Sequence, residues 1–254
     1  MPPRKIILPL SGPPSLQGQP PQNNPLKGFA PFAAGQYSTF PYSMEYVTLP
    51  VNAVMSGPAL VGGPATFNWA ALENQLNGIA TRGHQAIVRF YLDTPDEQPG
   101  IPAYLLGAPY NVAVNNYADY GNGTNATSVS PNYNDFDLVA AMKEFITALG
   151  DRYDGDSRLG FLQLGLLGFW GEWHTFPHAA WFASQGTQVE VLNAYDAAFD
   201  TTELEVRLPN SDNASLDIGY HDDSFAAETL IKPPFDHFMT DTTAAGVTNK
   251  WATN

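Results

Sequence analysis

The chain has 254 residues, with 11 Lys and Arg against 25 Asp and Glu, a formal charge of −14. That balance excludes an electrostatic grip on nucleic-acid phosphates or on anionic membranes, and the absence of cysteine excludes disulfides and thiolate metal sites. A neutral ligand such as a sugar suits it, and the low charged fraction of 14% with 13% aromatic residues suits a secreted or extracytoplasmic protein.

Residues 1 to 24 are rich in Pro, Gln and Ser and read as an extended N-terminal arm. Their one apolar stretch, Ile6 to Leu10, is too short for a leader's core. Nothing in the chain is long and apolar enough for a membrane span. Residues 25 to 254 are expected to form one α/β domain. Lys27 to Phe32 is a short first strand and Met44 to Leu49, which alternates, a second. Within that strand, Glu45 reads as a solvent-facing residue. Asn68 to Thr81 is a helix, because Trp69, Leu72, Leu76 and Ile79 recur at spacings of three and four before the stop at Gly83. Ala86 to Leu92 is a third strand, ending at Asp93. A long insertion, about residues 94 to 134, carries many Gly, Asn, Pro and Tyr; loops of that length usually serve function. It holds sequons at Asn122 and Asn125, and a third sits at Asn213. The next helix spans Asp135 to Tyr153, with Phe136, Val139, Ala140, Phe145, Ile146 and Leu149 inward. Gly160 to Phe169 is a fourth strand, Gln188 to Phe199 a helix, Leu204 to Leu208 a fifth strand and Leu216 to Tyr220 a sixth.

Strand–helix alternation at this spacing predicts a parallel sheet with right-handed crossovers. No Gly-rich phosphate motif is present, which favours a (β/α)8 TIM barrel over an open nucleotide-binding sheet. Six βα units are legible, so the expectation is a barrel completed by a segment or a second chain beyond this sequence, since an open barrel exposes strand edges.

The apolar run LGFLQLGLLGFWGEWH, Leu159 to His174, ends in a carboxylate set between tryptophans. Strand ends on that side of a barrel carry its chemistry. Glu172 is therefore the first catalytic candidate. Asp93 ends strand three, and His221, Asp222 and Asp223 follow strand six, so all face the same mouth. Arg89, a charge inside an apolar strand, must either orient a carboxylate such as Glu172 or bridge structural acids. Trp170, Trp173 and Trp181 offer flat apolar faces for sugar stacking, and His174 a hydrogen bond beside Glu172. Trp181 reads equally well as core. Glycoside hydrolysis needs two carboxyl groups flanking the scissile bond; Asp222 is the preferred second one, with Asp223, His221, Asp93 and Arg89 as substrate contacts.

Three segments carry a family resemblance. Asn24-Pro25-Leu26-Lys27-Gly28-Phe29 resembles an NPLKGF opening, Asp156-Ser157-Arg158 leading into Gly165 to His174 resembles a DPR…GLLGxWGEWH segment, and Tyr220-His221-Asp222-Asp223-Ser224-Phe225 resembles an xHDDxF element. Together they resemble a poorly characterised family of bacterial and fungal barrel proteins related to retaining glycoside hydrolases. The resemblance implies a (β/α)8 barrel, Glu172 as general acid/base at the end of strand four, and a nucleophile at the end of strand seven. Gly171 stands where many such enzymes carry asparagine, and no seventh strand is legible to supply the nucleophile.

The primary expectation is thus a glycosidase acting on a neutral poly- or oligosaccharide, without cofactor or metal. A non-catalytic carbohydrate-binding barrel is one alternative. A metal-dependent hydrolase using His174, His178 and His221, with Asp222, is the other.

Overall fold

A computed structural model describes residues 30–33, 42–95, 97–118, 128–223, 238–250 and 252–253. The N-terminal arm, the Asn24 to Phe29 segment and the sequons at Asn122 and Asn125 lie outside the described residues. In chain order the elements are β1 (Met44–Pro50), β2 (Met55–Ser56), β3 (Thr66–Phe67), α1 (Ala70–Thr81), β4 (Gln85–Tyr91), α2 (Ala103–Leu106), β5 (Val114–Tyr117), β6 (Ser128–Pro131), α3 (Phe136–Tyr153), β7 (Leu159–Gln163), α4 (Gln185–Ala198), β8 (Glu203–Val206), β9 (Ile218–His221), α5 (Phe238–Ala244) and β10 (Ala252–Thr253).

The main sheet has the order β1-β4-β7-β8-β9-β10, every pair parallel. Phe32 adds a parallel bridge to Tyr46 on the outer side of β1. Space therefore follows sequence without reversal, the winding of a (β/α) barrel; a doubly wound sheet reverses at its centre. The sheet also curls. Three strand spacings separate β4 from β9, about 14 Å if flat, yet Arg89 on β4 reaches within 3.2 Å of His221 on β9. The fold is thus α/β and TIM-barrel-like. Ala252–Thr253 adds a strand beyond the six legible in the sequence; two residues are too few to show a period.

Strand alternation separates two cores. Val47, Val88, Phe90, Leu162, Leu204, Val206, Ile218 and Tyr220 face the helices in one large cluster. Met44, Ile87 and Phe161, of the opposite parity, form a small cluster inside the barrel. One step up each strand on that inner side stand Tyr46, Arg89 and Gln163. The barrel floor is apolar and its upper layer polar.

The helices follow local signals. α1 buries Leu72, Leu76 and Ile79 and stops before Gly83, whose φ is +81°. Asp135 caps α3, its side chain accepting from the Asp137 and Leu138 amides, and Ser184 caps α4 by accepting from Thr187 N–H. The inward face of α3 differs from the expected one: Leu138, Ala141 and Met142 are buried, while Ala140 is exposed and Phe136 is 84% exposed. Two apolar stripes compete in this helix, and the one in phase with Phe145, Ile146 and Leu149 along its whole length wins.

Two other expectations change. Glu45 is buried, held by Arg82 at 2.7 and 2.5 Å and by His84 at 2.7 Å. It points out of the barrel toward the end of α1, where a helix and not solvent covers the sheet. Asn213 is also buried, donating to the Leu208 carbonyl and accepting from the Tyr220 hydroxyl, so its sequon is structural.

Candidate active site

The apolar run expected as one long strand divides after Gln163. Leu166, Gly168, Trp170, Gly171 and Trp173 all have left-handed φ, between 54° and 81°, which no strand accommodates. Side chains rarely adopt this conformation, so the three non-glycine residues carry backbone strain. The glycines are required by close approach: a Cβ on Gly165 would lie 1.8 Å from the Phe90 carbonyl, and one on Gly168 2.4 Å from that of His174. The Trp173 indole N–H donates to the Leu164 carbonyl at 2.6 Å and the ring is buried. Trp173, expected to stack on substrate, instead fastens the loop from beneath. The result presents Glu172 at the mouth, its side chain 20% exposed.

Arg89 organises the site. It is 2% exposed. Its Nε donates to Gln163 Oε1 at 3.0 Å, Nη1 to Glu172 Oε1 at 3.1 Å, and Nη2 to both oxygens of Asp223 at 2.8 Å. The guanidinium also lies 5.4 Å from the centre of the Tyr46 ring. Arg207, just past β8, repeats the bridge from above: its Nη1 is 3.3 Å from Asp223 and its Nε 3.9 Å from Glu172. One guanidinium and two hydrogen bonds span the two carboxylates, which therefore lie within about 8 Å of each other.

Electrostatics follow from that geometry. Burial works to raise the Asp223 carboxyl, but His221, Arg89 and Arg207 hold it well below the usual carboxylate range. Burial favours a neutral His221 and the two arginines add to this, outweighing Asp223. Its Nδ1 is 2.8 Å from Asp223 and 3.2 Å from Arg89. The ionised Asp223 can only accept, so the Nδ1 proton is assigned to the Asp223 bond, and Arg89 gives its Nη2 protons to the carboxylate. The buried Nε2 has no hydrogen-bond partner among the described residues. Burial would also discharge Arg89; Asp223, Tyr46 and Glu172 keep it protonated.

The candidates divide as follows. Glu172, Arg89, Asp223 and His221 meet in one cluster, and His174 joins it with Nε2 3.5 Å from Glu172. Asp222, the preferred second carboxylate, is buried beside the cluster, but Asp223 makes the contacts to Arg89. Trp170 is partly exposed, 6.1 Å from the His174 ring. His178 stacks on Trp181 at 3.7 Å. Among the described residues, no three His, Asp or Glu side chains are grouped as metal ligands would be. Asp93 is buried apart from the cluster, accepting a 2.5 Å hydrogen bond from Tyr117.

Gln163 and Arg207 were missed in the sequence, and both had a signal. Gln163 is the one polar side chain in LGFLQLG, and Glu205 and Arg207 alternate with Leu204 and Val206 in the fifth strand. Polar residues at every second position of an otherwise apolar strand mark the barrel's inner layer.

No family model and no curated protein matches the sequence. Solved structures do resemble the chain. Endo-glycoceramidase II from Rhodococcus sp., as its lactosyl-enzyme intermediate, matches with a TM-score of 0.49 and 14% identity over 83% of this chain and 56% of that one. Xylanase XynB from Paenibacillus barcinonensis matches at 0.44 and 11% over 82% and 60%. GH5_18 from Bifidobacterium longum subsp. longum matches at 0.39 and 14% over 65% and 34%. The chain thus spans between a third and three fifths of the length of these proteins.

Proposed function

We propose that this protein is a glycoside hydrolase-type enzyme acting on a neutral poly- or oligosaccharide, with Glu172 as general acid/base. One observation carries the reading. At the mouth of a parallel barrel, a partly exposed carboxyl group faces a second carboxylate across two shared guanidiniums.

Glycoside hydrolysis needs one carboxyl that exchanges a proton and one that stays ionised. The distances support the following division of roles. Asp223 is held at 2.8 Å by Arg89 and by His221, and at 3.3 Å by Arg207. It is the ionised partner. Glu172 has looser contacts, at 3.1, 3.5 and 3.9 Å, and keeps an open side. It is free to give a proton to a leaving oxygen and take one back. A separation of about 5–5.5 Å would make Asp223 a nucleophile with retention, and one of about 6.5–9.5 Å a base with inversion. His174 and Trp170 flank Glu172 as sugar contacts, and secretion outside the cytoplasm belongs to the same proposal.

The second reading, a non-catalytic carbohydrate-binding barrel, draws on the same salt bridges: each carboxylate already has a guanidinium partner. Soluble neutral polysaccharides and aryl glycosides test both. Glu172→Gln should lower turnover about 10²–10⁴-fold while leaving the melting temperature in place. Undiminished turnover in that variant removes Glu172 from its role. Retarded migration in polysaccharide gels without any product release favours the binding reading.

A further inference from the structure

The hairpin β5–β6 rises from the long insertion after β4, and one buried carboxyl holds it to the barrel. Asp93 is 0% exposed and lies two residues beyond β4. Its Oδ1 accepts from the Tyr117 hydroxyl of β5 at 2.5 Å, and its Oδ2 is buried without a hydrogen bond. Ser130 of β6 and Tyr133 just beyond it face the same carboxyl; they too lower its pKa, although neither hydroxyl closes a hydrogen bond.

The same residue ties the hairpin to the Glu172 loop. The Trp170 amide donates to the Asp93 carbonyl at 2.9 Å, and Asp93 bridges to Phe169. The Tyr117 ring stacks on Phe169 at 4.7 Å. Trp170 and Phe169 are the second and third residues before Glu172, so hairpin and loop share one anchor.

We infer that Asp93 is a proton-dependent clamp, which in its neutral form docks the β5–β6 hairpin against the loop that presents Glu172 and in its ionised form loosens it. A carboxylate buried without a cation and with one oxygen unpaired is costly, and protonation removes the charge while keeping the shape. The groups facing it are Tyr117 from β5, Ser130 and Tyr133 from β6 and its following turn, and the backbone of Phe169 and Trp170 from the mouth loop. The His178 imidazole lies beyond the Tyr117 ring, 6.2 Å between ring centres. No lysine or arginine among the described residues contributes to its titration, and burial pushes the carboxyl up to about 6. This inference does not depend on the glycosidase reading, because the clamp acts on structure whatever the mouth binds.

The test is hydrogen exchange of the full chain, read as protection factors for the β5 and β6 amides, at pH 5 and pH 8. If opening returns Asp93 to its ordinary pKa, protection should fall about tenfold across that range. In Asp93→Asn it should stay level, and in Tyr117→Phe, which loses the hydroxyl that favours the anion, the midpoint should move to higher pH. Carbon-detected titration of the Asp93 carboxyl in the wild-type chain gives the midpoint directly and does not require either variant to fold. Hairpin protection that is independent of pH, or a carboxyl midpoint near 4, would overturn the inference.

Discussion

Two carboxyl sites at the same end of the sheet, one past β4 and the other past β7 and β9, behave in opposite ways. Asp223 and Glu172 meet Arg89 and Arg207, whereas Asp93 meets only hydroxyls. Burial raises both Asp223 and Asp93, yet the first is held ionised and the second moves toward the neutral form. The difference teaches that the partner, not the depth, decides the sign. Held by His221 and the two guanidiniums, Asp223 is a fixed charge, while Asp93, without such partners, titrates near neutrality.

The strongest way to break the comparison is to remove the cation. Arg89→Ala leaves Asp223 and Glu172 with Arg207 as their one remaining guanidinium among the described residues, and a buried charge that loses its partner costs about 3–5 kcal/mol. Urea unfolding at pH 7 should show a loss of that size. A loss under about 1 kcal/mol would mean that Arg207 suffices.

The pH dependence sharpens it further. The pKa of Asp93 is higher in the folded chain than the ordinary 3.8, at about 6. Its contribution to stability is therefore complete below 3.8 and is lost as pH rises through about 6, by at most about 3 kcal/mol. Asp223 is depressed, so its contribution is present above 3.8 and is lost as pH falls through its lower folded value. The difference in unfolding free energy between wild type and Asp93→Asn isolates the first effect from other titrating groups: the variant should gain on the wild type from pH 4 to pH 7. The same measurement on Asp223→Asn should show the reverse, with the variant's deficit largest at neutral pH and shrinking in acid.

The smallest effect is at the hydroxyl. Tyr117→Phe removes one hydrogen bond and should cost about 1 kcal/mol at pH 5, where the carboxyl is neutral, and more at pH 8, where it is charged. Equal costs at the two pH values would show that the hydroxyl does not distinguish the two forms.

Much of the scaffold was legible from local chemistry. The three-and-four spacing in α1 and the alternation of apolar runs with helices need only nearest-neighbour sterics and solvent aversion, so they survive folding unchanged. The strand-end positions of Glu172 and Asp93, and the isolated charge of Arg89, could be read for the same reason. What the sequence could not decide is which face or neighbour each side chain meets. Asp222 and Asp223 are adjacent just past β9, and only the register of β9 against β8, with the curl that brings it to Arg89, selects Asp223 for that contact. Glu45 looked solvent-facing until α1 covered it, Phe136 looked buried until the phase of α3 turned it outward, and Trp173 became a loop anchor through left-handed backbone no propensity predicts. Periodicity sets which residues share a face. Which face is buried, and across from what, is decided by crossovers and register, where contacts are distant in sequence and close only after the sheet has curled.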